Sequence, residues 1–361
     1  MSLVLDDDDR ASLDGAAGPA MQLAMRLVLR AAEIMHAPSL IPVSFAHIDA
    51  CFYAGQAHVD FARYLLDNSA KLKVPAWTNN GVVSLANPDL RDEAVDAEAV
   101  RGARELMHLY EALGCKPVWT CAPYQLPGGP KRGDHIVAGE SNAVSYYNAV
   151  VGARTNKYGD YLDVACALIG KAPFAGLHTD AGRRGELFFS TASIPERWKT
   201  ENIFFHLLGH HAGRIAGQRI PIIGGLPATT NLDALKALAA AMASSGGVEM
   251  WHAVGVTPEA PAHGDAFAGE THSVTPGDLR RARDELTTAR DGRLDMVALG
   301  TPHFSLSECE ALAALLDGRR VKPGLPVYVS TSRFVLAEAR KRGWADAIET
   351  SGAEIITDTC T

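Results

Sequence analysis

Three cysteines stand where polar turns follow apolar runs: Cys51 in HIDACFY, Cys121 in WTCAPY and Cys360 in TDTC. Thiolates converging from such distant segments can hold an iron–sulfur cluster and leave one iron open. The bland alternative is the usual fate of a free cysteine, a small buried hydrophobe. Cys115, Cys166 and Cys309 read that way. His47 and Asp49 stand two apart and could form an acid–base pair, or be two satisfied core polar groups. His206 and His210, at i and i+4, could ligate zinc. They lack the glutamate of H-E-x-x-H, and the adjacent His210 and His211 face apart. The stretch GESNAVSYYNAVVGARTNKYGD, Gly139 to Asp160, is apolar enough to be buried yet carries Glu140, Ser141, Asn142, Asn148, Arg154, Thr155 and Asn156. Buried polar groups need partners. An arginine among uncharged donors suits a carboxylate ligand. The alternative is a structural polar network that ties helices together.

The elements that must position these residues follow from periodicity. Met21 to Met35 has its apolar residues at helical spacing. SFAHIDACFY reads as a strand, Val59 to Leu66 as a helix, and LKVPAW as a short strand. Ala99 to Leu113 is a helix closed by Gly114 at the C-cap position. KPVWTCAPY reads as a strand running into a turn, and AVSYYNAVVGA as a buried helix. The C-terminal part alternates: LDMVAL a strand, GTPH a turn, SLSECEALAALL a helix, LPVYV a strand, STS a turn, RFVLAEAR a helix, AEIITDT a strand. Ser305 and Glu308 fit the capping box S-x-x-E. Strand, polar turn and helix in alternation indicate an α/β fold with mostly parallel sheets. Ligands of such sheets bind at the carboxyl ends of strands. Cys121, Thr301, His303, Ser330, Thr331, Ser332 and Cys360 would lie there. Pro261 to Ser273 is the best loop, and no linker divides the chain clearly.

Composition excludes several classes. The chain has 361 residues, 47% hydrophobic and 21% charged, with a formal net charge of -8. That balance disfavours a nucleic-acid partner, which would call for a basic stripe. No uninterrupted apolar run is long enough to span a membrane. The acidic N-terminus, with Asp6 to Asp9, is unlike a signal peptide, so a cytoplasmic protein with reduced thiols is expected. IIGGLP and SSGG match neither G-x-G-x-x-G nor a phosphate-binding loop, so no nucleotide cofactor is indicated.

Taken in order, HIDACFYAGQAHVDFA, TCAPYQ, GDHIVAGESNAV-YYNAVVGARTNKYGD, GLH, VEMWHAVGVTPEAP, LGTPHFS, VSTSRFVLAEA and TDTC resemble the aconitase X large subunit over almost the whole chain from about Leu5. The resemblance implies an aconitase-like α/β large domain spanning residues 1–361, of one or more subdomains, without the small swivelling domain. It implies a hydro-lyase that dehydrates cis-3-hydroxy-L-proline to Δ1-pyrroline-2-carboxylate, or, as in the archaeal branch, mevalonate 5-phosphate. HIDAC, TCAPYQ and GTPHFS are similar to the bacterial form. The archaeal form tends to have cysteine where this chain has Thr301, which favours Cys51 as third cluster ligand beside Cys121 and Cys360. A 2Fe–2S centre is favoured, with 4Fe–4S as the alternative. His47, Asp49, Glu140, Ser141 and Asn142 are implied catalytic residues. Asn79, Arg154, Thr155, Asn156, His178, Ser330 and Ser332 are implied substrate contacts. A small swivel-domain subunit bearing the serine base is the expected partner, and the active site is expected to close between two chains.

Two departures from the family pattern stand out. HTDAGRRG places Asp180 and Arg183 where the pattern has a glutamate near an arginine. Family members also continue beyond the cysteine that corresponds to Cys360, so an incomplete or shortened chain is expected, with a weakly held ligand at its end. A non-catalytic scaffold subunit without a cluster, or a zinc hydrolase using His206 and His210, are the readings from other classes. Iron, zinc and sulfide analysis separates them.

Overall fold

A computed structural model describes residues 3–90, 93–260 and 267–360. The fold is built from three parallel sheets and one small antiparallel pair, Leu40–Pro42 with Lys171–Pro173. The first parallel sheet has Ala46–Ile48 at its centre, between Ala76–Thr78 and Val137–Ala138. The second runs His252–Ala253, Pro221–Gly224, Leu187–Ser190, Glu270–Ser273. The third orders Val297–Phe304, Val327–Thr331 and Glu354–Ile356. Parallel strands need helical crossovers that cover their faces, and the helices are where the apolar periodicity puts them. Pro19–Ile34 buries Met21, Met25, Val28 and Ala32, with Pro19 opening it at a position that needs no N–H donor. These residues join the large core under the first sheet, with Leu65, Leu106 and Met107.

The expected α/β architecture is therefore present, with differences in detail. SFAHIDACFY contributes only Ala46–Ile48 to the sheet. KPVWTCAPY is not a strand: only Lys116 bridges to Trp77, and Trp119 turns the chain with φ +43°. Two prolines and the lost register prevent a ladder there. GTPH is not a turn between strand and helix. It lies inside Val297–Phe304, where the register with the neighbouring strand shifts between Leu299 and Phe304. The shift turns the Thr301–Pro302 segment out of the ladder towards the cavity described below. The Ser305–Glu308 capping box forms as the sequence indicates. AVSYYNAVVGA divides into a helix, Ser141–Tyr146, and a wider turn of π type, Tyr147–Val151. Of the stretch Pro261 to Ser273, expected as a loop, 261–266 lie outside the described residues, as does Thr361, and Glu270–Ser273 is the strand paired with Leu187–Ser190. Among the described residues no helix is long and apolar enough to cross a membrane.

The helices Asn202–Ala216 and Leu232–Gly246 pack closely through glycine. A Cβ on Gly213 would lie 2.2 Å from Ser245 Oγ and 2.8 Å from the Met242 carbonyl oxygen. This contact brings His206, His210, Ala240, Ala241 and Ser244 together as one wall of the main cavity.

Candidate active site

The first sheet sets out the site by register alone. Ile48 pairs with Thr78 and His47 with Ala138. Asp49 and Asn79 stand one residue past Ile48 and Thr78, and Glu140 two past Ala138, at the carboxyl ends of three adjacent parallel strands. Asn79 Nδ2 donates to Asp49 Oδ1 at 2.5 Å and to Glu140 Oε2 at 3.2 Å. One amide thus bridges two carboxyl groups. Gly139 permits this approach: a Cβ there would sit 2.5 Å from Asp49 Cβ and 3.0 Å from the Tyr158 carbonyl oxygen.

Each member of the trio is held from behind. The turn after Ile48 is fixed by the buried Asp163, whose Oδ2 accepts from Asp49 N at 2.6 Å and Ala50 N at 3.0 Å. Glu140 caps the helix Ser141–Tyr146, its Oε1 accepting from Asn142 N at 3.1 Å and Asn142 Nδ2 at 2.8 Å. Asn142 Nδ2 also donates to the Cys121 carbonyl at 3.0 Å, and Asn142 Oδ1 accepts from Tyr124 Oη at 2.7 Å. Burial, then the neighbouring Glu140 carboxylate, pushes the Asp49 carboxyl up to about 7. Two carboxyl groups this close resist ionising together.

The trio lines a cavity of about 590 Å³ together with Asn80, Ser141, Asn142, Cys121 and Cys360. Cys121 Sγ and Cys360 Sγ are 3.6 Å apart, as free thiols. The His303 backbone N–H donates to Cys121 Sγ at 3.4 Å. The Cys121 contact, then burial, pushes the Cys360 thiol well up. A cation at the two sulfurs would reverse that penalty, since a coordinated thiol is held deprotonated. Among the described residues, Cys121, Cys360 and His303 are the one three-donor group close enough to share a metal ion. The His303 ring is already engaged: Nδ1 accepts from Thr120 Oγ1 at 2.9 Å and Nε2 donates to the Thr359 carbonyl at 3.0 Å. The donors that remain are the two thiols, a set that fits a thiophilic metal centre.

The structure gathers Asp49, Asn79, Glu140, Ser141, Asn142, Cys121 and Cys360 around one cavity. It does not bring His47, Cys51, Arg154, Thr155, Asn156, His178, Ser330 or Ser332 to that wall. His47 is fully buried behind the sheet, with Nε2 bonded to the Thr120 carbonyl at 2.9 Å, so it is not paired with Asp49. Burial lowers it to about 4, leaving a neutral ring. Cys51 Sγ donates to the Ile48 carbonyl at 3.2 Å and faces the Asn79 carbonyl at 3.6 Å. Burial raises its pKa well above the usual thiol value. To join Cys121 and Cys360 it must leave both carbonyls.

Ser332 caps the helix Arg333–Lys341 through Val335 N, and Ser330 is buried in the third sheet. Thr155 and Asn156 bond within their own segment and to Ala175 and Leu177. Arg154 donates to the His178 carbonyl at 3.2 Å and pairs with Asp180 at 2.5 Å. His178 closes a chain of bonds: Asn156 Nδ2 to Tyr158 Oη at 3.3 Å, Tyr158 Oη to His178 Nε2 at 2.7 Å, His178 Nδ1 to His135 Nδ1 at 2.9 Å. This is the structural-network alternative for the polar segment.

That network carries a pH dependence. Burial, then the His135 ring and the Arg183 and Arg154 charges, holds His178 down at about 3, so it is neutral when folded. The unfolded chain binds a proton near 6.5. Stability is therefore whole above that pH and declines as pH falls from 6.5 towards 3, by roughly 1 kcal/mol per pH unit from this group. Urea midpoints from pH 8 to pH 5 should show the fall, and His178→Gln should flatten it.

Thr301, expected where ligands bind, does line the cavity, whereas sequence reasoning missed Asn80, Phe52 and Pro302 as cavity wall, and Lys157. Lys157 Nζ donates to Ser141 Oγ at 2.7 Å and so reaches the rim. Asn80 could have been found, since it directly follows a strand-end asparagine. Nothing in the local sequence signals that Lys157 folds back to Ser141. His206 and His210 do line the cavity, but each ring is bonded elsewhere, His206 to Asn202 at 3.0 Å and His210 to Glu285 at 3.0 Å.

Comparison with known proteins gives the context. Residues 2–181 match the family model of the aconitase X first domain, 189–284 the second domain and 294–361 the third. Cis-3-hydroxy-L-proline dehydratase of Pseudomonas aeruginosa is 42% identical over 361 residues, 99% of this chain and 61% of that protein. The enzyme of the same name from Hypocrea jecorina is 38% identical, covering 100% of this chain and 61% of that protein. The chain thus spans 61% of the length of these two relatives. The phosphomevalonate dehydratase large subunit of Methanothermobacter thermautotrophicus is 34% identical, covering 99% of this chain and 87% of that one. The crystal structure of Thermococcus kodakaraensis aconitase X in its holo-form superimposes with a TM-score of 0.88 at 31% identity, over 99% of this chain and 88% of that one.

Proposed function

The chain belongs to the aconitase X family, and from that premise we propose that it is the large-subunit part of a hydro-lyase acting on cis-3-hydroxy-L-proline. One observation carries the choice of substrate. The cavity presents two carboxyl groups, Asp49 and Glu140; among the described residues that line it there is no arginine or lysine, and Lys157 at its rim already donates to Ser141. A phosphorylated anion would need cationic donors there. Cis-3-hydroxy-L-proline carries a secondary ammonium, which a pair of carboxyl groups can hold. The relatives named for hydroxyproline are also more similar than the one named for phosphomevalonate, at 42% and 38% against 34%.

Dehydration removes the Cα proton and expels the C3 hydroxyl as water, and the resulting enamine tautomerises to Δ1-pyrroline-2-carboxylate. Cys121 and Cys360 would hold an iron–sulfur cluster of the 2Fe–2S kind, with Cys51 as third candidate, and the cluster when bound supplies a Lewis acid for the hydroxyl and carboxylate. Asn79 holds Asp49 and Glu140 at fixed separation, and burial, then the Glu140 charge, pushes Asp49 up to about 7, so that it can carry a proton near neutral pH. That proton is available to the departing hydroxyl from Asp49, while the ionised partner faces the substrate ammonium. Asn142 and Ser141 orient Glu140 and Lys157 at the rim. The swivel-domain part, in a partner subunit, would supply the base that takes the Cα proton.

Assaying the assembled enzyme with both substrates decides the matter. Turnover of cis-3-hydroxy-L-proline without turnover of mevalonate 5-phosphate is expected. The reverse would overturn the assignment.

A further inference from the structure

Asp358 is fully buried and takes a left-handed conformation, φ +71°. Aspartate tolerates that region better than most residues, and a single such residue sharply redirects the chain. Here it sends the chain from the third sheet into the first domain. Its carboxylate accepts from Leu85 N and Ala86 N, each at 3.1 Å, and from Arg333 Nε at 2.6 Å and Nη2 at 2.7 Å. Its own carbonyl accepts from Gly81 N at 2.7 Å. Thr359 continues the stitch, pairing with Gly81 and donating its hydroxyl to the Val82 carbonyl at 3.2 Å. The loop thus gripped begins at Asn79 and Asn80, and the gripping segment ends in Cys360. Both ends line the cavity.

We propose that Asp358 is a positioning residue: clamped by Arg333, it locks the Cys360 turn to the Asn79–Ala86 loop and so sets the Cys360 sulfur beside Cys121 and opposite the Asp49–Asn79–Glu140 trio. A carboxylate with four directed donors, two in bidentate Arg geometry, fixes orientation as well as distance. The arginine comes from the helix that Ser332 caps, so three separate segments meet in one ion pair. For its relevance to metal loading the inference rests on the reading of Cys360 as a ligand. Its geometric content does not.

The test uses the Cys121–Cys360 pair as a ruler. The full chain, with iron removed by chelation, is treated with diamide under native conditions. The two thiols lose two protons and two electrons to the diazene, which becomes the hydrazine, and a disulfide forms. Its rate is read by peptide mass spectrometry. Wild type, starting at 3.6 Å, should cross-link readily. Asp358→Asn and Arg333→Ala should slow it at least about tenfold and lower the iron bound after reconstitution in parallel. Glu259→Ala, which breaks the remote Arg183–Glu259 pair, controls for general loosening. Should Asp358→Asn fail to fold, Arg333→Lys carries the same comparison. Wild-type rates in folded clamp variants, or an equal slowing in Glu259→Ala, would overturn the proposal. If the wild type takes up no iron, the metal reading fails, while the cross-linking rates still judge the clamp.

Discussion

Asp49→Asn should lower kcat by roughly 10²–10⁴-fold, the usual worth of a positioned proton donor, while leaving the fold intact. The two halves of that result come from one physical fact. Asp49 is buried beside Glu140, and its carboxyl is pushed up to about 7. Its charge is a burden to the folded state, because the fold binds the proton more tightly than the unfolded chain does. Stability from this group is therefore full below about pH 4 and is lost as pH rises towards 7. The neutral asparagine removes that burden, so the thermal midpoint at pH 8 should be no lower than that of the wild type. A structural aspartate would behave in the opposite way, losing stability along with activity. Steady-state kinetics and calorimetry on one preparation make the distinction. A turnover within threefold of wild type would remove Asp49 from the proton-donor role.

Cys121→Ala should abolish metal binding and lower dehydratase activity by at least ~10³-fold, since a Lewis acid on the leaving hydroxyl is worth several kcal/mol of barrier. Cys360→Ala should do the same. Cys51→Ala separates the two views of the third ligand. Its thiol now bonds to the Ile48 and Asn79 carbonyls, and burial holds it in the protonated form. If Cys51 ligates when the cluster is present, its alanine variant should lose the sulfur-to-iron absorption band together with the other two. A retained band in Cys51→Ala would leave two thiolates and a third donor of another kind. Retained iron and activity in Cys121→Ala would contradict the site itself.

Much of this arrangement was legible in the residues, and the reason is periodicity. A capping box at Ser305 and Glu308, a C-cap at Gly114 and helical apolar spacing in Met21 to Met35 are local signals, and local forces act on them in the folded chain as in the sequence. The strand-end rule pointed to Thr301 and Cys360, which line the cavity, and to Cys121, which lines it without standing on a strand. What failed was anything set by a distant partner. Arg154, Asn156 and His178 have the right chemistry for a carboxylate, but Asp180, Ala175, Tyr158 and His135 consume their hydrogen bonds. His47 and Asp49 are neighbours along a strand, yet Asn79 and Thr120 take them in different directions. The segment around Cys121 has a strand's composition, but its prolines and the turn at Trp119 leave it outside the ladder. Asp358 was passed over because its meaning lies in residues more than 270 positions away, Leu85 and Ala86.

Iron and acid-labile sulfide content after anaerobic purification, with an absorption spectrum, tests the central claim most directly. Iron and sulfide in similar amounts, with a sulfur-to-iron band that disappears in Cys121→Ala and Cys360→Ala, is the predicted result. Zinc without sulfide, or neither metal nor sulfide after reconstitution of the assembled enzyme, would contradict an iron–sulfur hydro-lyase built on this chain.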